Sequence, residues 1–397
     1  MKSENCNSIW TRAFILLCLA QFLGYAQHAM LAPSLPLFVS HLGGSPFIVG
    51  VVLACFAVTS VFIRPLIGHW ADRWAESGVL ISGLFFQGLS IFLCFVPWVE
   101  AAMLANGFRG IGWAGVNTGG YSLLASTAPE MRRGEASGYY SGVQGASMLF
   151  FPAVALWLLA ASSGDFRLVF AVSAALSFLG AGVGLFMARL APRVSRPLPQ
   201  SDSSVWWREL FRFVEPDILL PSVLLFWLNL ALPALMNFIV LYARAIGIEN
   251  FGLYFIASGT TSLLARPLLG RLSDRIGRGV SVAAGFTLQV TGLLLAATVS
   301  NLAGIIFAGV FYMLGNAIGS STTLALAVER ADPKRRGKAM ATFSVAYPLS
   351  YGIGSLLTGS AVEITGYVGM FLLLAVIEAL GLLFTLMNSS KLNSSKV

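Results

Sequence analysis

"RPLIGHWADRW" runs from Arg64 to Trp74, and "RPLLGRLSDRI" runs from Arg266 to Ile276. The two phrases share Arg-Pro-Leu, a glycine and an Asp-Arg pair in the same register, 202 residues apart. A second pair repeats at an offset of 203: "APEMRRGEAS" (Ala128 to Ser137) and "ADPKRRGKAM" (Ala331 to Met340). Two independent matches at nearly one offset point to an internal duplication. What lies between the charged phrases decides what was duplicated.

The intervening sequence is apolar. Of 397 residues, 57% are hydrophobic and 11% charged, against about 25% charged in an ordinary soluble protein. So few charges cannot solvate a globular surface. The expected solvent is lipid, where a helix needs ~20 apolar residues to cross. The net charge of +8 falls in short clusters between apolar runs, without a continuous patch or interleaved aromatics, which argues against nucleic acid. Cys6, Cys18, Cys55 and Cys94 show neither metal-ligand nor disulfide spacing and read as small apolar fillers. The first apolar run, from near Arg12, is too long for a cleavable signal and is expected to be a span.

Apolar runs between charge and turn signals predict twelve helices. In the first half they cover 12–39, 46–70, 77–97, 99–126, 135–162 and 166–190. In the second they cover 218–244, 249–272, 279–299, 301–328, 337–361 and 366–387. The predicted organisation is an N-terminal six-helix bundle over 1–190, a linker over 191–217 and a C-terminal six-helix bundle over 218–397. Pro197 and Pro199 break the linker, and its "VWWRELFRF" suits a short helix lying on the membrane surface.

Basic residues fix the orientation. Even-numbered connections carry Arg73, Arg132, Arg133, Arg189, Arg193, Arg196, Arg208 and Arg212, then Arg271, Arg275, Arg278, Lys334, Arg335, Arg336 and Lys338. Odd-numbered connections carry only Arg167 and Arg244. This bias predicts that both termini and the linker lie in the cytoplasm. Six spans return the chain to the same side, so the repeats are parallel, related by an axis along the membrane normal.

Gly68-x-x-x-Asp72-Arg73 and Gly270-x-x-x-Asp274-Arg275-x-Gly277-Arg278 resemble the signature loop of the major facilitator superfamily. The resemblance covers the whole chain: its length, twelve spans, central linker and the loop in both halves. "RGIGWAGVNT" and "RRGEASGYY" further resemble bacterial efflux-type members. It implies an all-α integral membrane protein with two pseudo-symmetric six-helix bundles, in the bacterial inner membrane, generally monomeric and without a cofactor. It also implies that each loop carboxylate contacts a helix start in the opposite half, Asp72 near Gly337 and Asp274 near Gly134. A carboxylate at a helix N-terminus is worth about 0.3–1 kcal/mol. The alternative is a plain topogenic loop. The first copy reads Trp74-Ala75-Glu76 where the second keeps Gly277-Arg278, so the two latches are unequal.

In the superfamily, spans one, four, seven and ten line a central cavity. Here they carry polar residues at helical spacing: Gln21, Tyr25 and His28; Asn106, Arg109, Trp113 and Asn117; Asn229 and Asn237 around Pro233, which suits a kink; Tyr312, Asn316 and Thr323. Each set alone suits interhelical hydrogen bonding; together they suit a wet, substrate-binding path. Arg109 is the one base predicted deep in the hydrocarbon. Family antiporters carry an arginine followed by glycine four positions on, but Trp113 occupies that place. Aligning Asn106 instead brings Gly110 into register and leaves Arg109 as a counter-ion for an anionic or zwitterionic solute.

Proton coupling needs a titrating group. His28 is one candidate, because imidazole titrates near neutrality; Glu378, the carboxylate deepest in a span, is the other, with packing as its alternative role. Glu363 is expected near the outer end of span eleven, in solvent. The fifth span has Pro152, but Phe151 and Ala155-Leu156 replace the glycines of the drug-antiporter pattern. The leading expectation is therefore proton-coupled export of a small organic solute. The alternatives are proton-coupled uptake of a metabolite and a non-transporting sensor, which the short tails disfavour. The sequence shows no Ser/His/Asp arrangement, clustered metal ligands or phosphate loop, so neither an enzyme nor an ATP-driven pump is expected.

Overall fold

The computed structural model describes residues 9–73, 76–129, 132–190, 215–248, 251–331, 336–389 and 392. Among the described residues every regular element is helical. That is what lipid demands, because a spanning segment must satisfy its own backbone polar groups. The outward faces are apolar: Phe62 is 79% exposed and Ile364 81%. Among the described residues, eight helices are long and apolar enough to cross a membrane.

The chain divides into two compact units, Met1–Phe38 with Cys55–Ser201, and Val39–Ala54 with Asp202–Val397. The first unit contains most of α1 (Arg12–His41) and of α2 (Pro46–Arg73), α3 (Glu76–Ile91, continued by a 3-10 turn over Phe92–Phe95), α4 (Val99–Thr127), α5 (Arg133–Ala161) and α6 (Phe166–Leu190). The second contains α7 (Pro216–Leu228), α8 (Ala234–Ala245), α9 (Gly252–Ile276), α10 (Arg278–Thr298), α11 (Leu302–Arg330) and α12 (Arg336–Met387). Pro216 opens α7, where its missing N–H costs no intrahelical bond.

The twelve helices do not map one to one onto the twelve expected spans. α7 and α8 are two parts of span seven, parted at Asn229 and rejoined through a π turn over Ala234–Phe238. Pro233 sits at that junction and cannot donate to the helix behind it. Conversely, α12 contains spans eleven and twelve, divided at Gly366, whose φ of 73° is a left-handed conformation that suits glycine.

Within the first unit, α3 and α4 meet backbone to backbone. A Cβ on Gly83 would lie 2.7 Å from the Val116 nitrogen and 2.8 Å from the Gly112 oxygen. One on Gly112 would lie 2.6 Å from Gln87 Cγ. The second unit builds the same seam between α10 and α11. A Cβ on Gly285 would lie 3.0 Å from the Gly315 oxygen, and one on Gly315 would meet that of Gly285. Gly83 and Gln87 map to Gly285 and Gln289 at offset 202, and Gly112 maps to Gly315 at 203. The duplication seen in the charged loops thus extends into the packing core. Small residues at these seams replace the hydrophobic drive that lipid removes.

The N-terminal turns of α2 group with the second unit because they pack on α12. A Cβ on Gly50 would lie 2.5 Å from the Ser355 oxygen, and one on Gly359 2.5 Å from the Pro46 oxygen. Glu363 Oε2 accepts the Phe47 N–H at 3.1 Å. Glu363 is exposed, as expected from its place in the sequence, but it also caps the start of α2.

Candidate functional site

In the first unit, α1 and α4 bring five of the sequence candidates together. The Tyr25 hydroxyl donates to Asn117 Oδ1 at 2.8 Å. The His28 ring stacks on Trp113 at 4.1 Å between centroids, and Tyr25 packs on the same indole at 4.5 Å. Arg109 is 5% exposed, and its Nη2 lies 3.4 Å from His28 Nδ1. A guanidinium only donates, so Nδ1 accepts and the neutral imidazole carries its proton on Nε2. A proton on Nδ1 and the arginine therefore compete for one nitrogen. Asn106, also on α4, is buried.

Two members of this cluster were missed. Phe56, on α2, lies under the Arg109 guanidinium at 4.9 Å and faces His28 at 5.2 Å. Such a cation–π contact is worth about 0.5–2 kcal/mol. Its sequence context, a valine-rich run, looks like any lipid-facing stretch. Arg64, on α2, lies near Tyr25 and Tyr121; in the sequence it stands only as part of the charged loop, whose repeat masks its place beside α1.

The second unit gathers the remaining candidates. Asn316 Nδ2 donates to the Leu228 oxygen at 3.2 Å and to Asn229 Oδ1 at 3.1 Å. Gln289 Nε2 donates to the same Leu228 oxygen at 2.7 Å. The open end of α7 is thus held by side chains from α10 and α11. Asn237, in the π turn, accepts from the Tyr351 hydroxyl of α12. Tyr312 and Glu378 are fully buried, and neither the phenol oxygen nor either carboxyl oxygen has a hydrogen-bond partner. Thr323 is buried and its hydroxyl turns back to the Ser320 oxygen at 3.1 Å.

The signature loops lie at the ends of α2 and α9. Gly68 is partly buried and Arg275 exposed. The side chains of Asp72, Arg73 and Asp274 and the surroundings of Gly134, Gly270 and Gly337 are not described, so neither are the latch contacts. Beside the second loop, Arg278 forms an ion pair with Glu329 at 2.5 Å and donates to Ser273 Oγ at 3.1 Å. In the first unit the equivalent positions are Glu76 and Ser126, where the Ser126 hydroxyl donates to Glu76 Oε2 at 2.8 Å. The link from one helix start to the next helix end is kept in both repeats, but its acid has changed sides.

A helical membrane protein of two duplicated units, each holding buried polar clusters, is the architecture of a secondary transporter. The sequence matches the Major Facilitator Superfamily over residues 17–251 and 219–396, so the chain belongs to that family. It is 27% identical over 169 residues to "Multidrug resistance protein 1" of Bacillus subtilis, a match spanning 42% of this chain and 43% of that protein. It is 27% identical to "Multi-drug resistance efflux pump PmrA" of Streptococcus pneumoniae, over 64% of this chain and 65% of that one. "Staphylopine export protein" of Staphylococcus aureus is 20% identical over 91% of this chain and 92% of its own. Among solved structures, a bacterial homolog of the human lysosomal transporter Spinster superposes with a TM-score of 0.80 at 15% identity, covering 100% of both chains. A point mutant of the nucleoside transporter NupG superposes at 0.78 with 16% identity, over 95% of this chain and 99% of that chain. The protein is a membrane-embedded transporter for small molecules, not an enzyme.

Proposed function

We propose that this chain exports a small organic solute from a bacterial cell in exchange for protons. The reading places it in the inner membrane with both termini cytoplasmic, as a monomer working by alternating access of its two six-helix halves. Its cargo carries an anionic group and an aromatic or planar part. The observation that carries the reading is the α1–α4 cluster, in which a buried Arg109 is flanked by Phe56, His28, Trp113 and Tyr25. Such a cluster offers charge and ring faces together, and buried charges in membrane helices mark transport paths. Export is supported by relatives named as efflux and export proteins. Asn106, Asn117, Asn229, Asn237, Tyr312 and Asn316 are read as the rest of the solute path, and His28 and Glu378 as the proton-responsive groups.

Proton-coupled uptake is the second reading. It is favoured by the fifth span, where Phe151 and Ala155 stand in place of the glycines that the drug-antiporter pattern carries. Proteoliposomes carrying a pH-sensitive dye separate the two. With a proton gradient imposed across the membrane, an exchanger moves solute opposite to protons and a symporter moves it with them. Saturable solute exchange without any proton movement overturns both.

A further inference from the structure

Along one face of α6, small and aromatic residues alternate at helical spacing: Ala175, Phe178, Gly182 and Phe186. With Leu16 of α1 they line a groove of about 700 Å³ on the outside of the first unit. Its depth comes from Gly182, which is exposed; a Cβ there would meet nothing within 4 Å. One wall is fixed by packing. A Cβ on Gly88 of α3 would lie 3.1 Å from the Phe178 ring, which also sits edge-on to Phe85 at 5.4 Å. The volume is that of an ordinary ligand pocket, about 300–1,000 Å³. Among the described residues, no polar side chain lines it. On a membrane-spanning helix, such an opening faces acyl chains.

The groove leads to a basic rim. Phe38, near the end of α1, packs on Phe166 and Phe170 at the start of α6, at 5.3 and 4.9 Å. Further along, a Cβ on Gly180 would lie 3.3 Å from Leu23 Cβ and 3.4 Å from the Ala20 oxygen. The two helices therefore run antiparallel. Arg12 stands two turns before Ala20 on α1, and Arg189 stands two and a half turns after Gly180 on α6. At 1.5 Å per residue, both lie about 12–14 Å beyond that contact, at one height. Arg12 shares a helix face with Leu16, and Arg189 with Phe186, so both stand over the groove's end.

Both arginines are exposed, and neither is in an ion pair among the described residues. The sequence supplies no acid close by: none occurs between Glu4 and Asp72, or between Asp165 and Asp202. Trp10, 54% exposed, packs on Phe14 and Tyr139 beside the same helix start. A half-exposed tryptophan at a span end marks headgroup depth.

We propose that the α1–α6 face is a binding site for one anionic diacyl phospholipid. An acyl chain lies in the groove over Gly182, and Arg12 and Arg189 hold the phosphate, whose oxygens suit the guanidinium fork. Charge selects this occupant. A zwitterionic lipid brings its own cation to the rim. A second copy docked by the same face would set its arginines against these, because a two-fold contact pairs a patch with itself. The site shares no residue with the solute and proton paths proposed above and does not depend on them.

Native mass spectrometry of the full chain in mild detergent tests it, with dioleoyl phosphatidylglycerol and dioleoyl phosphatidylcholine as probes. The wild type is expected to retain one phosphatidylglycerol in preference to phosphatidylcholine. Arg12→Gln and Arg189→Gln are each expected to weaken phosphatidylglycerol about fivefold and to leave phosphatidylcholine unchanged. Gly182→Leu fills the groove without striking protein atoms and is expected to weaken both lipids. Arg167→Gln, an exposed arginine at the opposite end of α6, is expected to change neither. Equal weakening by Arg167→Gln reduces the effect to bulk charge and overturns the proposal. So does unchanged phosphatidylglycerol binding in Gly182→Leu or in the double arginine variant. Displacement of the lipid by glycerol phosphate would make the rim a site for free phosphate and overturn it too. A dimer without retained lipid, lost in Gly182→Leu, would assign the face to a second copy.

Discussion

At the scale of single residues, Arg109 shows how a costly group is made tolerable. An unpaired arginine at mid-membrane costs at least ~2.5 kcal/mol on insertion scales. Here the guanidinium is spread over the Phe56 ring and a His28 nitrogen. Arg109→Ala is expected to weaken binding of an anionic solute by roughly tenfold or more, about 1.4 kcal/mol, with little loss of folded protein. Quenching of tryptophan fluorescence, with Trp113 beside the site, measures it. Unchanged affinity makes Arg109 a packing residue. Glu378→Gln is expected to abolish gradient-driven accumulation and to spare counterflow exchange in proteoliposomes; loss of both removes it from coupling. Arg109, His28 and Glu378 were legible because charge within an apolar run stands out. Phe56 was not, because an aromatic side chain in a span carries no mark of which way it faces.

At the scale of elements, the glycine seams set how closely helices pack. Gly112→Leu in α4, or Gly315→Leu in α11, puts a side chain where the opposing backbone already lies. Such overpacking typically costs about 1–3 kcal/mol, and more when backbone must move. The expected result is a lower melting temperature for the detergent-purified protein; an unchanged melting curve would mean that the seams are looser than their geometry. Glu363→Ala removes the acceptor for the Phe47 N–H at the start of α2. It is expected to speed hydrogen exchange in the first turn of that helix without changing the global melting curve. The break in span seven was partly visible in Pro233. The π turn after it was not, whereas the division at Gly366 falls where the sequence separates spans eleven and twelve. The π turn depends on what packs alongside: Gln289 and Asn316 satisfy the carbonyl left by the break.

At the scale of the whole molecule, duplication is the organising fact. It appears in the signature loops, in the Gly83/Gly285 and Gly112/Gly315 seams, and in the paired links Glu76–Ser126 and Arg278–Glu329. If the loops act as latches, Asp72→Asn and Asp274→Asn are each expected to lower the transport rate several-fold while expression holds. Transport at wild-type rate in both variants would reduce the loops to topogenic signals. The second loop, with its Arg278–Glu329 ion pair nearby, is expected to show the larger effect.

The sequence alone determined the solvent, the duplication and the family. Those follow from composition, from apolar run lengths and from repeats, which are local or periodic quantities. Tertiary structure decided which polar residues meet. Tyr25 and Asn117 are 92 positions apart and share one hydrogen bond. Trp227 reaches across 150 positions to the residue beside Glu378. Helical periodicity assigns a residue to a face, but it cannot say which other helix that face touches. That choice is made by the close approach of small residues and by buried polar groups seeking partners, and both become readable only once the helices are packed.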